Sequence, residues 1–244
     1  MESIKIKKEL LCRNDYADFN FETLMKTYSY TITNPRDNFN KDRFLIKDKW
    51  FTVCDGVSSC GEKGAIAAQI AIDFVSNAEL STLKTKADLK TFLNLINIKI
   101  GKMEGATTFT SVFFKKENGI LFHTGDSECY VLNSDNELTE LTTPFTIRYA
   151  RYKLGEVEKD TVKTGYLSNF LTECLNGEPI NPQILSFDLT ITKSILICSD
   201  GANNVPEEDL KSLLLNSSDP AESIAKRAAE LGSRDDITCI VIKL

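Results

Sequence analysis

The sequence predicts an α+β fold built in layers. Its strand-like runs come as hairpins and its helical stretches come in pairs. A chain of 244 residues with 42% hydrophobic content is long enough to bury a large core between such layers. The alternating strand–helix units of a doubly wound sheet are missing. No internal repeat, low-complexity tract or linker interrupts the pattern. Residues 1–244 are therefore expected to form a single domain, with 1–27 an extension of mixed pattern.

The elements follow in order. Residues 28–33 alternate aromatic and β-branched side chains and read as a strand. Asn34-Pro35-Arg36-Asp37-Asn38 is turn chemistry. Residues 44–46 and 50–54 flank Lys47-Asp48-Lys49 as a hairpin whose second strand runs straight into Asp55-Gly56. A loop of small residues at 58–64 leads to a helix at 65–77, with Ile66, Ile70, Ala71, Phe74 and Val75 at helical spacing. That stripe reads as core. A second helix at 87–102 sets Leu89, Phe92, Leu93, Ile96 and Ile100 on one face. Strands at 107–114, 119–124 and 129–132 are joined by turns at 115–119 and 133–136. Residues 142–185 lose periodicity. A strand at 194–198, helices at 207–215 and 221–231, and a closing strand at 237–244 complete the chain. Asp219-Pro220 supplies an N-cap and a first-turn proline to the last helix.

Composition narrows the function classes. Lys and Arg total 29 against 35 Asp and Glu, a net charge of -6 with no long basic run, which argues against nucleic acid as a partner. The seven cysteines are odd in number and form no Cys-x-x-Cys pair. Cys54, Cys198 and Cys239 lie in apolar runs, so the chain reads as reduced and cytoplasmic. No secretory h-region or membrane-length apolar stretch is expected.

The chemistry concentrates in acids at strand ends. Val53-Cys54-Asp55-Gly56 and Ile197-Cys198-Ser199-Asp200-Gly201 each end an apolar run with an Asp-Gly pair. Ser233-Arg234-Asp235-Asp236-Ile237-Thr238 opens the last strand. Carboxylates delivered this way suit a hard divalent cation such as Mg²⁺ or Mn²⁺. Other hydrolytic centres find little support. The only histidine is His123, which reads as a strand residue satisfied by a neighbour, and no Gly-x-Ser-x-Gly elbow is present. No cysteine precedes Arg at the spacing of a cysteine-phosphatase loop, no Walker A run occurs, and Cys and His do not cluster as for zinc.

In order, Asp55-Gly56-Val57, Gly105-Ala106-Thr107-Thr108, Gly125-Asp126-Ser127-Glu128, Cys198-Ser199-Asp200-Gly201 and Ser233-Arg234-Asp235-Asp236 resemble the type 2C metal-dependent protein phosphatases, the PPM family. The resemblance spans roughly residues 28–244. It implies a four-layer α-β-β-α sandwich, with a central antiparallel β-sandwich flanked by helix pairs. It implies two Mn²⁺ or Mg²⁺ ions, with a third held weakly, and hydrolysis of phosphoserine or phosphothreonine in a phosphoprotein by a metal-bridging hydroxide. By position, Asp55 would bridge both ions, the Gly56 carbonyl would bind one, and Asp200 and Asp235 would hold the other. Asp126 would hold a looser ion, or is a hairpin Asp satisfied by backbone. Arg36 would grip phosphate as a bidentate fork, with Arg43 the alternative. Asp42 would orient water at a metal.

Two positions depart from the family. Lys41 stands where the family has a Glu that reaches a metal through water, and Val57 stands where some members have a His that protonates the leaving group. Lys41 keeps a second reading in view: a pseudophosphatase that binds a phosphoprotein without turnover. A phosphatase of small metabolites is a third.

Overall fold

The computed structural model describes residues 25–163, 167 and 170–244. Of the expected extension at 1–27, residues 1–24 lie outside the described residues, as does Cys12. Residues 26 and 27 already belong to the first strand, so the chain enters the sheet earlier than its pattern suggests.

The architecture is an α+β sandwich of two antiparallel five-stranded sheets. One sheet is ordered β1 (Lys26–Ile32), β10 (Ile237–Lys243), β9 (Thr192–Cys198), β6 (Glu128–Asn133) and β7 (Leu138–Glu140). The other is ordered β2 (Arg43–Lys47), β3 (Trp50–Cys54), β4 (Phe109–Lys115), β5 (Asn118–Thr124) and β8 (Gln183–Asp188). Helices α1 (Glu62–Asn77) and α2 (Lys86–Gly101) serve the second sheet, and α4 (Glu207–Asn216) and α5 (Pro220–Glu230) the first. A short α3 (Ile147–Lys153) lies between β7 and β8.

Period-2 alternation assigns the layers. Phe51 and Val53 of β3 face inward with Val112 and Leu121, against Cys129, Ile195, Ile197, Ile240 and Ile242 of the other sheet. Trp50 and Cys54 face outward with Phe109, Phe113 and Phe122, under Ala67, Ala71 and Val75 of α1 and Leu89, Leu93 and Ile96 of α2. On the opposite side Leu196, Cys239 and Val241 pack against Leu210 and Leu214 of α4 and Ala221, Ile224 and Ala228 of α5. Among the described residues, no helix is long and apolar enough to cross a membrane.

Most expected elements appear with shifted ends. α1 starts at Glu62, not at residue 65. Its buried face is built mainly of alanines, and Ile66 is 43% exposed, so that part of the expected stripe is not core. α3 appears in the stretch 142–185 that loses periodicity, β8 starts at its end, and β7 lies just before it in residues given no element. Antiparallel alternation then brings the C-terminal ends of β1, β3, β5 and β9 and the N-terminal ends of β2, β4, β6 and β10 to one end of the sandwich.

Candidate active site

Asp42 precedes β2, Asp55 follows β3, Asp126 follows β5, Asp200 follows β9 and Asp235 precedes β10, so all five lie at that shared end. The two Asp-Gly pairs are glycines of close approach. A Cβ on Gly56 would stand 2.5 Å from the Gly64 carbonyl carbon at the start of α1. On Gly201 it would stand 2.0 Å from the Asp236 carbonyl oxygen. Any side chain there would push one acidic loop off its neighbour.

Hydroxyls brace the Asp55 loop. Thr108 Oγ1 accepts the Asp55 N–H at 2.9 Å and meets Ser127 Oγ at 2.8 Å. Thr107 Oγ1 donates to the Asp55 carbonyl at 2.8 Å. Thr108 N donates to that carbonyl and Val57 N to the Ala106 carbonyl, which makes Gly56 and Thr107 a bridge pair. In such a pair the Gly56 carbonyl points away from Thr107, outside this ladder.

Asp42 and Ser199, the residue before Asp200, flank strands of different sheets and are joined by one hydroxyl. Ser199 Oγ donates to Asp42 Oδ2 at 2.7 Å and accepts the Thr238 N–H at 2.9 Å. The adjacent acids of the last turn divide their work. Asp236 is 1% exposed and accepts Asn34 N–H on Oδ1 at 2.8 Å and Lys41 N–H on Oδ2 at 2.7 Å. It is a brace. Asp235 is half-buried, and its Oδ1 accepts the Asp236 N–H at 2.9 Å.

The electrostatics show how closely these acids gather. Burial first, then the charges of Asp42, Asp200, Asp235 and Asp126, push the Asp55 carboxyl well above the usual range. Burial, then Asp126 and Asp235, do the same at Asp200. Asp42 and Asp126 are raised mainly by burial, and so is Asp235, where Lys41 works in the opposite sense. Among the described residues, three buried carboxylate oxygens have no hydrogen-bond donor: Asp42 Oδ1 and Asp200 Oδ1 among these acids, and Glu140 Oε1. Mutually repelling acids with unpartnered oxygens are what a bound divalent cation would relieve. Among the described residues no three His, Cys, Asp or Glu side chains stand close enough together to hold a metal ion as they are placed. The donors at this end are all oxygens, the kind a hard divalent cation takes.

The cations sit at the margin. Arg36 is exposed in the turn after β1, and among the described residues no hydrogen bond or ion pair joins its guanidinium to the acids. Arg43 donates from Nη1 to the Asn40 and Asp42 carbonyls and from Nε to Gln69 Oε1, so its fork is engaged. Lys41 is buried and pairs with Asp37. His123 is fully buried, with Nδ1 at 2.8 Å from Thr110 Oγ1 and Nε2 at 3.2 Å from the Thr143 carbonyl. Burial lowers it to about 4.

Beside the acids, Lys163 crosses to the first sheet. Its Nζ meets Glu128 Oε1 at 2.7 Å, Glu140 Oε2 at 2.9 Å and Tyr130 OH at 2.6 Å. Neither this cluster nor the Ser199 and Asp236 braces was singled out in the sequence. Glu128 lies two residues past Asp126, and that proximity was the available signal.

A family model for protein phosphatase 2C matches residues 34–235. The chain belongs to this family. Solved structures agree in fold. Serine/threonine phosphatase Stp1 from Staphylococcus aureus superposes with a TM-score of 0.84 at 18% identity, over 95% of this chain and 99% of that one. The serine/threonine phosphatase PstP/Ppp of Mycobacterium tuberculosis gives 0.78 at 22% identity, over 90% and 98%. A PstP catalytic domain in complex with two manganese ions gives 0.75 at 21% identity, over 90% and 97%. No curated protein matches the sequence significantly.

Proposed function

We infer that this protein is a metal-dependent protein phosphatase that hydrolyses phosphoserine and phosphothreonine by direct attack of water on phosphorus. One observation carries the reading: acids from both sheets converge at one end, with two buried oxygens that lack any protein partner. Family membership and the manganese complex of a PstP catalytic domain support it.

Asp55 is central among the acids, and with the Gly56 carbonyl, Asp200 and Asp235 it would hold the two ions. Asp126 suits a weaker third ion. When bound, Mn²⁺ or Mg²⁺ supplies Lewis acidity that sharpens water as a nucleophile and offsets charge on the phosphoryl oxygens. Asp42, held by Ser199, orients water. Arg36, exposed in the turn after β1, is free of the backbone duties that occupy Arg43 and would grip the phosphate. With Val57 in the loop and His123 buried, the leaving oxygen takes its proton from water. The three stacked cores support a single domain. The odd number of cysteines and the apolar runs around Cys54, Cys198 and Cys239 are the grounds for a reducing, cytoplasmic setting.

The second reading, a phosphoprotein-binding pseudophosphatase, draws on the buried Lys41. Phosphate release from phosphothreonine and phosphotyrosine peptides, with Mn²⁺ and then with chelator, separates the two. Mn²⁺-dependent release from phosphothreonine supports the enzyme. No release from either peptide at millimolar Mn²⁺ would leave the binding module.

A further inference from the structure

Helix α3 concentrates positive charge beside the acidic end of the sandwich. Its seven residues, Ile147–Lys153, include Arg148, Arg151 and Lys153 and no acid, in a chain whose net charge is -6. Tyr149 and Tyr152 share the helix, with ring centroids 5.9 Å apart. None of the seven residues is buried, and none belongs to the three cores.

The backbone mounts this helix next to the acids. Phe145 N–H, two residues ahead of α3, donates to the Gly125 carbonyl at 2.8 Å, and Gly125 directly precedes Asp126. The Phe145 carbonyl accepts Thr172 N–H at 2.8 Å, and Ile147 N–H donates to the Phe170 carbonyl at 2.8 Å. Thr143 N–H donates to Gln183 Oε1 at 2.9 Å, and Thr146 Oγ1 caps the helix by accepting Tyr149 N–H at 3.2 Å. A helix of this length extends about 10 Å, so its charges stay close to the Asp126 loop.

Two of these charges are open to a partner. Arg151 Nε meets Glu156 Oε2 at 2.8 Å, with 45% and 48% of the two side chains exposed, and a surface pair of this kind exchanges partners at little cost. Lys153 is exposed, and its Nζ lies 5.7 Å from the Tyr149 ring centroid. Arg148 is more tied, since its Nε donates to the Thr161 carbonyl at 2.6 Å. Arg and Tyr are residue types that protein contacts favour. The aspartates at this end of the sandwich repel an acidic peptide that approaches them. A basic rim beside them offsets that repulsion and draws such a peptide in.

We propose that α3 is the rim on which a phosphoprotein substrate docks, and that Arg151 and Lys153 select acidic residues flanking the phosphoserine or phosphothreonine. The proposal rests on the phosphatase reading given above and adds the sequence context of the substrate.

The test is Mn²⁺-dependent phosphate release by the full chain from two phosphothreonine peptides, one with glutamates on both sides of the phosphothreonine and one with glutamines there. Wild type is expected to favour the glutamate peptide about fivefold in kcat/KM, through KM rather than kcat. The preference should shrink towards one in about 0.5 M salt. Arg151→Gln with Lys153→Gln should bring the ratio close to one, and Arg151→Glu with Lys153→Glu should invert it. Each readout is a ratio of two peptides on one preparation, so partial unfolding of a variant cancels. A wild type that treats both peptides alike, a preference indifferent to salt, or one that both double variants keep would overturn the proposal while leaving the phosphatase intact. No Mn²⁺-dependent release from either peptide would instead overturn the phosphatase reading, and the rim with it.

Discussion

Ser199 Oγ donates to Asp42 Oδ2 at 2.7 Å across 157 residues of chain. Ser199 follows β9 of one sheet and Asp42 precedes β2 of the other, so this hydroxyl fastens the two halves of the acidic end. The same oxygen accepts the Thr238 N–H, which ties in β10 as well. The bond also leaves Asp42 with one satisfied oxygen and one without a partner.

Ser199→Ala removes that donor and strands the Thr238 N–H. Each buried group left unpaired costs about 1–3 kcal/mol. The expected result is a stability loss of about 2 kcal/mol in urea unfolding and weaker Mn²⁺ binding, because Asp200 is the next residue. An unchanged unfolding midpoint would show that water replaces the hydroxyl without cost.

Asp236→Asn keeps the shape of Asp236 but replaces one acceptor with an amide donor. Both carboxylate oxygens face backbone N–H groups, of Asn34 and Lys41, so one N–H must meet the new NH₂. A loss of about 2 kcal/mol is expected, together with a fall in metal affinity as the Asp235 turn loosens. Calorimetric melting with and without Mn²⁺ reads both effects.

Lys163→Met leaves Glu128, whose side chain is 5% exposed, without its cation. Breaking a buried pair costs about 3–5 kcal/mol. Lys163 is itself 29% exposed, so about 2 kcal/mol is expected here. Glu128→Gln in the same chain should return part of that loss. A double-mutant cycle in denaturant checks it, and strict additivity would show that the pair is uncoupled.

Metal-free protein should lose stability as pH rises. Burial holds Asp42, Asp55, Asp126 and Asp200 above the unfolded value near 4, so the folded state keeps protons the unfolded chain has released. Their contribution is complete below pH about 4 and is lost as pH climbs through the raised values. His123 acts in the opposite direction, since its folded value of about 4 lies below 6.5. Its contribution is complete above pH 6.5 and about 3 kcal/mol is lost on acidification towards 4. Melting temperatures in chelator are therefore expected to fall from pH 6.5 to 8, and Mn²⁺ should restore them at pH 8. A flat alkaline limb in chelator would contradict the clustering of these acids.

Much of this was legible in the sequence because central strands and core helices carry strong periods. The elements that escaped are those with weak ones. β7 and β8 are edge strands of mostly intermediate burial, and α3 buries no residue, so none has an apolar stripe to read. In the site, Asp55 and Asp200 announce themselves through the glycine beside each. The division between Asp235 and Asp236 is invisible in sequence, because two adjacent aspartates differ only in what folds against them. Ser199 and Lys41 are likewise defined by partners far away in the chain. Lys41 was visible as a departure from the family, but its burial and its pairing with Asp37 required the folded loop.

The most direct test is the rate of aryl phosphate hydrolysis at saturating Mn²⁺ for wild type and Asp200→Asn, a substitution that preserves shape and removes one charge from the proposed ion site. A Mn²⁺-dependent wild-type rate that falls by about 100-fold or more in Asp200→Asn is the expected result. An unchanged rate in Asp200→Asn, or a wild-type rate indifferent to chelator, would contradict a metal-dependent phosphatase centre at this end of the sandwich.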